Sequence, residues 1–168
     1  MNSTADREFH VTRIFDAPRA LVFKAWTDPK HLAQWRGPHT MTNPVCEMDL
    51  RPGGKHRIVM RAPGGTDYPI KGEYREIVAP ERIVMTLDCA EHPEAWHDMI
   101  FPSRGKGDRN PAGIMVQTAT FEDLGGKTKL TIRTRFETAA IRDAMVKAGM
   151  NEGWSQSLER FEAWLARA

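Results

Sequence analysis

"NEGWSQSLERFEAWL", residues 151–165, is the stretch whose reading decides the fold. Its apolar residues are Trp154, Leu158, Phe161, Trp164 and Leu165. Trp154, Leu158, Phe161 and Leu165 recur at steps of four, three and four, which is the spacing of one helix face; Met150 extends that face by a step. A terminal helix with so bulky a stripe must cover a large apolar surface. The rest of the chain has to supply it.

Upstream, apolar and polar residues alternate in short runs. Residues 8–15, "EFHVTRIF", predict a first strand with Phe9, Val11 and Phe15 on one side. "DAPRALVFKAWTD" then predicts a helix with Asp16 as cap, Pro18 in its first turn, and Leu21, Val22, Ala25 and Trp26 as a stripe. "DPKHLAQWRGP" predicts a second, with Asp28 as cap and Gly37-Pro38 as stop. "VCEMDLR", "KHRIVMR", "IKGEYREIV" and "RIVMTLDCA" read as strands separated by Gly- and Pro-rich turns. His56, Ile58 and Met60 share one face of the second of these. "GIMVQTATFED" and "TKLTIRTRF" flank "LGGK" as a final hairpin. Residues 91–112, rich in Pro, Gly and charge, predict a surface loop insert. Thr138 starts a short helix that Gly149 ends. Strands in hairpins with segregated helices define an α+β domain: six or seven antiparallel strands curved around the terminal helix.

Composition bounds the rest. The 168 residues suit one domain over 1–168 with an ordered core at 8–166. Twenty-four basic against 22 acidic residues give a net charge of +2, which offers nucleic acid no footing. No apolar run approaches the ~20 residues needed to span a bilayer, and "MNSTADREFH" lacks the apolar core of a signal peptide. Cys46 and Cys89, far apart in the chain, read as reduced thiols of a cytoplasmic protein.

Four stretches together carry a family likeness: "FDAPRALVFKAWTDPKHLAQW", "DLRPGGKHRIVM", "YPIKGEYREIVAPERIVMT" and "GMNEGWSQSLERFEAWL". In their order the chain resembles the START-like helix-grip (SRPBCC) superfamily, and within it the AHSA branch of activator-of-heat-shock-ATPase homologues. The resemblance implies a curved sheet gripping the C-terminal helix, with a cavity between them that in many members takes an apolar or amphipathic small molecule and in some hosts a reaction. The resembling eukaryotic co-chaperones carry a further N-terminal domain, for which the residues before the first strand leave no room. A chaperone partner is therefore not expected, while a homodimer stays open.

Few residues offer chemistry. Cys89, His92, Glu94, His97 and Asp98 are metal-ligand types, but their spacing fits no zinc pattern, so a solvated loop and no metal are expected. Ser155 lacks a nucleophile elbow. The Gly-rich turns lack phosphate-binding spacing, and no cofactor is implied. His56 fits either a general base or a hydrogen-bonded wall residue. Tyr74 and Glu73 point to opposite faces, with Tyr74 taken as the inward one. Met60, Met85, Met115, Tyr74, Trp154 and Phe161 fit either solid core or an adaptable apolar pocket. The expected cavity lining is His56, Ile58, Met60, Tyr74, Met85, Met115, Trp154, Leu158 and Phe161, with Asp49 and Arg51 at its rim. A small-molecule binding protein is the leading expectation, because no nucleophile–base–orienter set is visible. A cyclase, dehydratase or hydrolase acting in the same cavity, and an interaction or stress-response module, are the alternatives.

Overall fold

The computed structural model describes residues 4–168. After a 3-10 turn the chain forms β1 (Glu8–Phe15), α1 (Arg19–Thr27), α2 (Pro29–Trp35), β2 (Thr42–Met48), β3 (Lys55–Arg61), β4 (Asp67–Val78) and β5 (Arg82–Asp88). Then come α3 (Glu94–Ile100), β6 (Ile114–Asp123), β7 (Thr128–Arg135), α4 (Ala139–Lys147) and α5 (Met150–Arg167). The strands make one curved sheet in the order β1-β7-β6-β5-β4-β3-β2, every neighbouring pair antiparallel. Strands β2 to β7 run as a meander, and β1 closes beside β7 with Val11 opposite Ile132.

The stripe read in α5 does cover the sheet. Phe161 is fully buried, 4.9 Å from the Phe15 ring and 4.3 Å from that of Trp35. Leu158 and Trp154 join the same core, together with Phe121, Leu130 and Ile132 from β6 and β7. Burying each such side chain contributes roughly 1.5–3 kcal/mol, which fixes α5 on the sheet far more firmly than helix propensity does. A second cluster holds Ile58, Met60, Ile70, Leu87, Met115 and Phe136.

Local differences from the sequence reading have physical causes. Asp16 does not cap α1; extended Pro18 precedes the first turn without any side-chain cap. Asp28 does cap α2, accepting from the Lys30 amide at 2.9 Å. Strand β2 is an edge strand that starts earlier than expected, and Pro44 is tolerated because the register slips between Thr42 and Val45. β2 ends at Met48, so Asp49 and Arg51 lie in the turn before β3, not in a strand. There they are exposed and paired with each other at 2.9 Å, and they border none of the hollows described below.

The segment 91–112 also departs from expectation, since it contains helix α3. Glu94 in the first turn suits the helix dipole, and Arg104 bridges Glu94 and Asp98 from outside. His97 and Ile100, three apart, are its buried face. Only the stretch from Pro102 to Arg109 is the exposed loop predicted, interrupted by half-buried Arg104.

Candidate functional site: a hollow under the gripped helix

The strap Arg36–His39, between α2 and β2, is clamped from three sides. Arg160 of α5 donates from Nη1 to the carbonyls of Arg36, Gly37 and Pro38 and from Nη2 to that of Gln34. Of these, the Gln34 and Arg36 carbonyls are among those that the end of α2 leaves without intrahelical partners. Asn43 of β2 donates to the Ala33 and Arg36 carbonyls. Buried Ser157 accepts from the Gly37 amide at 3.0 Å. Gly37 has φ +97°, and a Cβ there would meet Met60 Sδ at 3.0 Å, so glycine alone fits without strain.

This clamp fixes the backbone that carries Arg36. Its guanidinium carbon lies 4.4 Å from the centre of the Trp154 ring, and Trp154 in turn stacks at 6.2 Å on Trp26. No carboxylate pairs with Arg36 among the described residues. Burial pulls its pKa down to about 10, which leaves it charged at neutral pH.

Arg36 borders two hollows on the gripped side of the sheet. The inner one, of about 40 Å³, is a slot with room for little more than a water or two. It is lined by His56, Ile58, Tyr74 and Met85 of the expected set, and also by Cys46 and Gln117. The outer hollow, about 380 Å³, lies where α3, the α4–α5 junction and strands β3 to β6 converge. Met60, Met115 and Trp154 of the expected set line it, together with Met41, Met145 and Met150. Arg36, Ile70 and Leu87 line both. Leu158 and Phe161 border neither hollow; they are 1% and 0% exposed among aromatic neighbours in packed core. The helix stripe thus divides, packed at Leu158 and Phe161 and bordering a hollow at Trp154 and Met150.

His56 is held in the wall of the inner slot. Its Nε2 donates to the Thr86 carbonyl at 2.8 Å, and its ring sits 5.3 Å from that of Tyr74. Gly72 allows this approach: a Cβ there would meet the Thr86 oxygen at 1.9 Å and His56 Nε2 at 2.6 Å. Burial lowers the His56 pKa, only partly offset by the Thr86 bond, and Arg36 lowers it further. Tyr74 does point inward; burial raises its phenol pKa, and nearby Cys46 adds to this. Glu73 points out to Lys55, 2.7 Å away.

The histidines of the 91–112 segment are not solvated. His92 is 8% exposed, and both ring nitrogens lack a hydrogen-bond partner. It lines the outer hollow with its ring 4.4 Å from Trp96 and 5.4 Å from Tyr68. Burial, then the neighbouring His97, bring its pKa down to about 4. His97 is 1% exposed and bonds through Nε2 to the Ala90 carbonyl at 3.3 Å. Among the described residues no three ligand-type side chains converge on a metal position. Both cysteines are free, and burial raises Cys46 to about 11 and Cys89 to about 12.

Sequence reasoning missed Arg36 and the methionines Met41, Met145 and Met150 as lining residues, and it placed His92 in a solvated loop where the structure buries it in the hollow wall. Arg36 sits in a helix-stop motif, and no local pattern separates a buried arginine from a solvated one. Met150 carried a signal as the first position of the α5 stripe.

A curved antiparallel sheet around a C-terminal helix, hollow at one end of the grip, defines a helix-grip protein. The family of activator of Hsp90 ATPase homolog 1-like proteins matches over residues 16–166, and the chain belongs to it. Among solved structures, a protein from Arthrobacter aurescens is 26% identical with a TM-score of 0.81, covering 100% of this chain and 91% of that one. A protein from Nitrosomonas europaea is 24% identical with a TM-score of 0.78, covering 97% and 96%. An AHSA1 protein from Silicibacter pomeroyi is 21% identical with a TM-score of 0.69, covering 95% and 97%. The last two likenesses speak for the fold alone. No curated protein matches the chain. No helix among the described residues is long and apolar enough to cross a membrane.

Proposed function

We propose that this protein binds an apolar or amphipathic small molecule in the outer hollow, between the sheet and the start of α5. The observation that carries this reading is the hollow itself. Its volume of about 380 Å³ falls within the ~300–1,000 Å³ of small-molecule sites. Its wall is rich in methionine and aromatic side chains, which repack around different shapes. The enzyme reading has less support, because His56 Nε2 is committed to the Thr86 carbonyl and burial keeps the Cys46 thiol and the Tyr74 phenol that share its slot protonated. The interaction-module reading wants a contiguous apolar patch. The exposed Ile14, Leu50, Met99, Ile114, Leu124 and Val146 are instead spread over six elements and turns.

Native mass spectrometry of the purified protein, followed by organic extraction, tests the reading. A retained small molecule released on denaturation is the expected result. A bare polypeptide that also takes up no apolar molecule offered in excess would overturn it.

A further inference from the structure

The ligand class follows from what stands in the hollow wall. A charged guanidinium beside an apolar cavity is costly unless an opposite charge or several hydrogen bonds accompany it. Arg36 has the Trp154 face and no carboxylate. Ion pairs fill the outer face of the sheet instead, where Lys55, Arg57, Lys71 and Arg61 meet Glu73, Glu91 and Asp67. The fold thus pairs its exposed arginines Arg57 and Arg61 and leaves Arg36, in the wall of both hollows, without an anion. The strap carrying Arg36 is clamped by Arg160, Asn43 and Ser157, so its backbone is fixed before any ligand arrives, and its guanidinium rests on the Trp154 ring. A second polar group in the same wall lacks partners: His92, more than nine-tenths buried, with both ring nitrogens free.

Resting on the small-molecule reading above, we propose that the outer hollow is a site for a carboxylate-bearing, otherwise apolar molecule, its carboxylate seated on Arg36 and its body among Met60, Met115 and Leu87. A carboxylate matches the planar fork of a guanidinium with two parallel hydrogen bonds. His92, as a neutral imidazole, offers one donor and one acceptor to a further polar atom of the ligand. The methionine wall sets no single shape for the body, so an acyl chain and a flat aromatic ring are both tested.

Titration of the intact protein with two acid and amide pairs of matched size decides the matter: decanoate against decanamide, and 2-naphthoate against 2-naphthamide. In calorimetry at neutral pH, at least one acid should bind about tenfold or more tightly than its amide, the advantage of a charge-assisted bidentate contact. Arg36→Met should close the gap between acid and amide, weakening the acid by about tenfold or more and the amide by far less, and Arg36→Lys should keep part of the preference. Equal binding of acid and amide by the wild type, or a preference that survives Arg36→Met, would overturn the carboxylate site while leaving the pocket in place. No binding of any of the four would overturn both. The wild-type comparison stands on its own should Arg36→Met fail to fold.

Discussion

Trp154 and Phe161 share one face of α5 but not one environment, and truncation should separate them. Phe161 is enclosed by Phe15 and Trp35 at 4.9 and 4.3 Å, so its removal leaves a void that neighbours cannot fill. Phe161→Ala should cost about 3–5 kcal/mol in urea unfolding. Trp154 already borders the outer hollow, so fewer contacts vanish with it, and Trp154→Ala should cost about 1–3 kcal/mol. Equal losses would mean that the hollow is filled in solution. His92 predicts a pH effect of definite sign. Its folded pKa of about 4 lies below the ordinary 6.5, so between those values the unfolded chain binds more protons. The stabilisation from keeping it neutral is full above pH 6.5, falls as the pH drops towards 4, and levels off below that. The span is about 3 kcal/mol. His92→Phe should flatten that part of the stability profile relative to wild type; identical slopes would place the proton elsewhere.

At the scale of elements, α3 and the loop after it should behave differently although they are neighbours in sequence. Ile100 and His97 fix α3 against the wall of the hollow, whereas residues 105–109 are exposed. Replacing 105–109 by a two-residue linker should change stability by less than about 1 kcal/mol. Ile100→Asp buries a charge and should cost more than about 3 kcal/mol. Thermal melts of the two variants check both, and a loop deletion that unfolds the protein would show the segment to be structural. These neighbours also mark where the sequence was legible. Strands β3 to β7 announce themselves through alternation bounded by Gly and Pro turns, and α5 through five matching positions from Met150 to Leu165. α3 offers only His97 and Ile100 on its buried face over seven residues, too short a run for a 3.6-residue period to stand out from Pro- and Gly-rich surroundings. The site was legible in part. Alternation put His56, Ile58, Met60 and Tyr74 on the inward face, but which inward residues meet packing and which meet a hollow is set by how α3, α4 and the strap close around them. Arg36 needed the fold altogether, because its position depends on Arg160 and Ser157, more than a hundred residues away in sequence.

Across the whole molecule the two faces of the sheet divide the work. The outer face carries exposed ion pairs, each worth about 0–1 kcal/mol, and so contributes solubility more than stability. The gripped side carries the core and both hollows, and the two cysteines report on it from different depths. Cys46 is half-buried and lines the inner slot, while Cys89 is buried and lines the outer hollow. Burial raises both from an ordinary 9.0, Cys46 to about 11 and Cys89 to about 12, and only the thiolate reacts with iodoacetamide. At pH 7.5 the thiolate fractions should fall by about a hundredfold and a thousandfold relative to the unfolded chain, so Cys46 should be modified first. An acid seated in the outer hollow should slow Cys89 further and change Cys46 less. Peptide mapping after timed alkylation, with and without 2-naphthoate, reads both rates. If both cysteines react at the rate of the denatured protein, the grip of α5 on the sheet is open in solution and the hollow has no fixed wall. If the acid binds but protects neither, it sits outside the hollow, and the pairing of Arg36 with its carboxylate fails with it.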